Sequence, residues 1–97
     1  MLSDLADYVA AAWIMEADTW RFVFDSSDGE SVIQHHLLGV SQWRISDLRD
    51  GIGVMEIRLV PVNGALEYTI VTVCNETIEV ICADVRETVI KHPAPHR

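Results

Sequence analysis

Val54-Met-Glu-Ile-Arg-Leu-Val-Pro-Val-Asn-Gly-Ala-Leu-Glu-Tyr-Thr-Ile-Val-Thr72 decides the fold. At its centre, Asn63-Gly64 is the dipeptide favoured by a two-residue type I′ hairpin turn, in which both central residues need positive φ. Ahead of the turn, Met55, Ile57 and Leu59 alternate with Glu56 and Arg58, the period of a half-buried strand. A two-residue turn sets the register: Val62 falls opposite Ala65, Leu59 opposite Tyr68 and Ile57 opposite Ile70. Large apolar side chains then meet on one face, and Arg58 meets Thr69 on the other.

The same period extends outward in both directions. Asn75-Glu76 ends this hairpin, and residues 77–83 form the next strand, with Ile78, Val80 and Cys82 on one side and Glu79 and Ile81 on the other. Residues 85–90 extend or follow it. Upstream, Asp47-Leu48-Arg49-Asp50-Gly51 is a polar connection, residues 41–45 a short strand, and residues 31–38 a strand broken by Gly39. Ser26-Ser27-Asp28-Gly29 reads as a turn because Asp-Gly accepts positive φ. Trp20, Phe22 and Phe24 alternate with Arg21, Val23 and Asp25. A turn at residues 16–19 places Met15 opposite Trp20 and Trp13 opposite Phe22, so residues 10–16 should form a strand. Leu2, Leu5, Val9 and Trp13 also share a helical stripe with Ser3 as N-cap, so a short helix over residues 3–8 is expected to run into that strand. The expected architecture is mainly β: a single antiparallel β domain over residues 1–91, a sandwich or strongly curved sheet. It should have six to eight short strands and at most one short N-terminal helix. Residues 92–97, with Pro93 and Pro95, are expected to be a disordered tail.

Charge narrows the function. Among 97 residues, 15 acids against 7 bases leave a net charge of −8. Nucleic acid and anionic membranes are unsuitable ligands, since both need clustered Lys and Arg. With 49% hydrophobic residues, the chain is too apolar for a disordered acidic tail. Seven acids and one base give −6 within residues 1–30, the middle third is neutral, and the remainder carries −2. The N-terminus has no positive start, and two aspartates interrupt its apolar run, unlike a signal peptide. Cys74 and Cys82 fit neither a disulfide framework nor a zinc pattern. They read as reduced thiols of a cytoplasmic protein.

Residues that could carry chemistry form no catalytic pattern. Adjacent His35 and His36 point to opposite faces of a strand; they read as one core-edge and one exposed side chain. His92 and His96 have a helical metal spacing in a segment that its prolines keep from being helical. The serines lie in no nucleophile elbow, Asp25 to Glu30 lacks the ligands of a calcium loop, and Gly51-Ile52-Gly53 lacks the third glycine of a dinucleotide site. No catalytic residue, metal site or cofactor is therefore assigned. Asp18, Asp25, Asp28, Glu30, Asp47 and Asp50 are candidates to meet a basic partner. Trp43, between Gln42 and Arg44, is either an exposed interface anchor or a lid on the core edge.

The order of elements is also informative. Asp7-Tyr8 leads to a strand, an acidic turn and Thr19–Asp25. Leu38-Gly39-Val40-Ser41 precedes Trp43-Arg44-Ile45, and Thr77–Cys82 comes late. This resembles small β-rich bacterial immunity-type proteins encoded beside polymorphic toxins, although Ala6 stands where such domains carry histidine before Asp7. The resemblance implies a single-domain, non-enzymatic inhibitor that binds one toxin tightly. A phage-encoded, anti-CRISPR-type inhibitor that mimics nucleic acid fits the same size and charge. A structural subunit that pairs with itself through a sheet edge is a third reading. The expected partner is a basic protein, with the chain itself a monomer or homodimer.

Overall fold

The structure, a computed structural model, describes residues 2–46 and 49–91. Eight strands follow one another: β1 (Val9–Glu16), β2 (Thr19–Asp25), β3 (Val32–Leu38), β4 (Gln42–Ile45), β5 (Val54–Val62), β6 (Ala65–Thr72), β7 (Thr77–Cys82) and β8 (Asp84–Lys91). They form two antiparallel four-stranded sheets, β1-β2-β3-β8 and β4-β7-β6-β5. The fold is a β-sandwich.

The central hairpin has the register expected from its turn. Leu59 pairs with Tyr68, Ile57 with Ile70 and Arg58 with Thr69, and Asn63 and Gly64 both take positive φ, 48° and 81°. The first hairpin also pairs as read, Trp13 with Phe22 and Met15 with Trp20. Residues 85–90 fall within a separate strand, β8, which leaves the sheet of β7 and pairs with β3. Gly39 lies at the corner between the sheets, at φ 66°, where the Ala83 N–H donates to Leu38 O at 2.8 Å.

No helix forms over residues 3–8. Asp7 adopts φ 70°, which interrupts a right-handed helix. The backbone beyond it finds sheet-like partners instead: the Asp7 N–H donates to Val54 O, the Val54 N–H to Tyr8 O, and the Ala10 N–H to Ile52 O. Leu5, on the expected helical stripe, is buried in the core at the start of a turn, its carbonyl accepting the Tyr8 N–H at 3.0 Å. Such long-range contacts override a local periodicity.

Between the sheets, Trp20, Phe22 and Phe24 of β2 and Leu37 of β3 pack against Tyr68 and Ile70 of β6 and Ile78 and Val80 of β7. The rings meet at angles: Trp13 and Phe22 are edge-on with centroids 5.0 Å apart, and Phe22 and Tyr68 are tilted at 6.0 Å. Cys82 is buried at the end of β7, and Cys74 is exposed in the β6–β7 turn. Residues 92–97 and Asp47, for which a tail and part of a polar connection were expected, lie outside the described residues.

Candidate interaction site

Trp43 is the most exposed large apolar side chain among the described residues, at 59%. It belongs to β4, an edge strand that, among the described residues, pairs only with β7, with Trp43 opposite Val80 and Arg44 opposite Glu79. The Val80 side chain is buried in the core, so Trp43 leans over the inner face at the rim. There its ring meets that of Trp20, with centroids 5.1 Å apart and planes tilted by 58°. Trp20 is itself nearly buried and donates its indole N–H to Ala17 O at 3.1 Å. Trp43 therefore caps the core edge on one side of its ring and meets solvent on the other. Half-exposed Met15, opposite Trp20 on β1, continues the apolar patch. On the outer face beside Trp43, a shallow recess of about 210 Å³ is lined by Gln42, Arg44, Glu67, Glu79 and Ile81.

The candidate acids fall at two ends of the molecule. Asp18 is in the β1–β2 turn, where its carbonyl accepts the Val40 N–H at 2.8 Å, on the Trp43 side. Asp25, Asp28 and Glu30 lie at the opposite end of β2. Asp50 is near them, since the Gly51 N–H donates to Ala10 O and Ala10 pairs with Phe24. The Asp28 carboxylate accepts bonds from the Ser26 hydroxyl and the Glu30 N–H, the bonding of a turn former. Glu67 and Glu79, absent from the candidate set, are the acids that the sheet places beside Trp43. Their strand parity, opposite to that of Tyr68 and Val80, was the available signal.

The two histidines divide differently from the expectation. His35 is fully buried rather than at the core edge, and His36 is partly buried on the outer face of its sheet. His35 is the centre of a polar chain. Its Nδ1 lies 2.7 Å from the Tyr68 hydroxyl and its Nε2 2.8 Å from the Glu87 carboxylate, which also accepts the Ser3 N–H and hydroxyl. Burial pushes the His35 pKa below its ordinary value, outweighing the opposing pull of Glu87. Burial alone would raise the Glu87 carboxyl, but hydrogen bonds from Ser3 and His35 hold it below its ordinary value. A neutral His35 thus donates Nε2–H to ionised Glu87 and accepts at Nδ1 from Tyr68, whose own pKa burial drives far up. The order is Ser–Glu–His–Tyr. In a nucleophilic triad histidine stands between serine and carboxylate; here Glu87 separates Ser3 from His35, and the imidazole is sealed from solvent.

Among the described residues, no three His, Cys, Asp or Glu side chains are placed to hold a metal ion, and no helix is long and apolar enough to cross a membrane. In comparisons with protein-family models, curated proteins and solved structures, the chain matches none.

Proposed function

We propose that this chain is a non-enzymatic, acidic binding protein that inhibits a basic protein partner, in the manner of an immunity protein neutralising a bacterial toxin. One observation carries the reading: an exposed tryptophan, braced from behind by a buried one, at a sheet edge beside carboxylates. Tryptophans held in this way dominate binding energy at interfaces, because the bracing removes rotamer entropy before the partner arrives. The acids around it and the net charge of −8 attract a cationic protein and raise its association rate. The buried His35 chain fits a structural role, since none of its polar atoms lacks a partner.

Co-expression with the product of the adjacent gene tests this reading. The expected result is rescue of growth from a toxic neighbour, with a complex that weakens as salt rises. A neighbour that is neither toxic nor bound would overturn the immunity reading. Inhibition of a nuclease effector in competition with DNA would point to nucleic-acid mimicry instead. A stable homo-oligomer without a foreign partner would point to an assembly subunit.

A further inference from the structure

Resting on that reading, we infer that the free edge of β4 is the docking line itself: it takes an extended, basic segment of the partner as a fifth strand of the β4-β7-β6-β5 sheet. The first ground is the phase of the ladder. The Ser46 N–H donates to Thr77 O at 3.2 Å, and the register places Ile45 opposite Ile78 and Trp43 opposite Val80. Antiparallel pairs alternate between bonded and non-bonded, so Arg44 and Gln42 bond to β7, and the N–H and C=O groups of Trp43 and Ile45 point outward. Among the described residues, nothing is seen to bond to them on that side. A strand edge of this kind is a template for β-augmentation.

The second ground is what lies on the two faces of an added strand. Its side chains would alternate. One set would lie against Trp43, Trp20 and Met15, which selects apolar groups. The other set would lie over the outer face, toward the recess that half-buried Glu79 on β7 and Glu67 on β6 line. The incoming strand would lie about 10 Å from β7, two strand spacings, within the joint reach of a lysine and a glutamate. Glu16 and Asp18, at the tip of the β1–β2 hairpin, add negative charge on the Trp43 side. Among the described residues, Arg44 is the single cation lining this recess, against two carboxylates. The pattern selected is alternating apolar and basic, in an extended partner segment.

An alternating Lys-Val octapeptide is the probe, added to the full-length, isotope-labelled chain and followed by amide NMR. The Trp43 and Ile45 amides should shift and gain protection from exchange. An octapeptide N-methylated on the bonding edge should not produce this. Trp43→Ala should weaken binding about tenfold or more, and Glu67→Gln with Glu79→Gln should weaken it and flatten its salt dependence. Both sites are at the surface, and an unchanged thermal midpoint would show that each variant folds. A Glu-Val octapeptide protecting the same amides equally would overturn the choice of a basic segment. Protection that rises with chain concentration alone, together with a dimer in sedimentation, would make a second copy the occupant. A neighbouring-gene product that binds while the β4 amides stay unshifted would sink this docking line and leave the inhibitor reading intact. Peptide bound at β4 with no binding or neutralisation of that product would sink the inhibitor reading alone.

Discussion

At the scale of single residues, the buried chain through His35 makes stability depend on pH. The His35 pKa is lowered from 6.5 in the folded state, so the unfolded chain takes up the proton first. The stability that neutral His35 contributes is complete above pH 6.5 and is lost as pH falls below it. Glu87, lowered from 4.5, has the same sign, and its contribution is lost lower down as carboxylates protonate. Urea midpoints should therefore fall from pH 8 to pH 5.5, and His35→Gln, less stable at pH 8, should lose most of that slope. An equal slope in the variant would assign it to other groups. Tyr68→Phe should cost about 1–3 kcal/mol in denaturant unfolding, because it leaves the buried Nδ1 without a donor. The adjacent histidines and their opposite faces were legible in the sequence, but the chain was not. Its members come from residues 3, 35, 68 and 87, and only folding brings them together. A partial signal was present: Glu87 sits between Val85 and Val89 at the inward parity of β8, and an inward carboxylate requires a partner.

At the scale of elements, the hairpins were the most legible parts because their registers are local. Asn63-Gly64 and the turn at residues 16–19 each determine pairings over a few residues of chain. The helical spacing of Leu2, Leu5 and Val9 is overridden, because the chain turns at Leu5–Tyr8, where the Tyr8 N–H donates to Leu5 O at 3.0 Å, and then pairs with a distant segment. That segment is the backbone of Ile52–Val54, which lies about forty residues away in sequence. Leu5 acts as a plug for that end of the core, and Leu5→Ala should cost about 2–5 kcal/mol; a loss below 1 kcal/mol would show that the segment packs weakly. Corner Gly39 makes a second test. A Cβ there would lie 2.8 Å from the Ala83 Cβ, whereas one at Gly64 would meet nothing within 4 Å. Both positions require positive φ, which costs a residue with a Cβ about 1–2 kcal/mol. Gly39→Ala should therefore destabilise more than Gly64→Ala, and Ala83→Gly should recover the difference but not the part common to both. Recovery of the full loss would assign the cost to the clash alone.

At the scale of the whole molecule, the sequence located the charge in a segment, and the fold divides that segment between two ends. β2 spans seven residues, so Asp18 and Asp25 lie about 20 Å apart. Charges at that distance act independently at physiological salt, where the screening length is about 8 Å, and act together near 0.01 M, where it is about 30 Å. The two ends can therefore be separated kinetically. Asp18→Lys tests the Trp43 end. Asp25→Lys with Glu30→Lys tests the other, sparing Asp28, whose carboxylate the turn uses. Association of the Lys-Val octapeptide can be followed in stopped flow by tryptophan emission. At 0.15 M salt, Asp18→Lys should slow it several-fold and the double variant should leave it nearly unchanged. At 0.01 M both should slow it, because the field of the whole chain then reaches the incoming cation. A slowing at 0.15 M confined to the double variant would place the encounter away from β4, at the end that holds Asp25, Glu30 and Asp50.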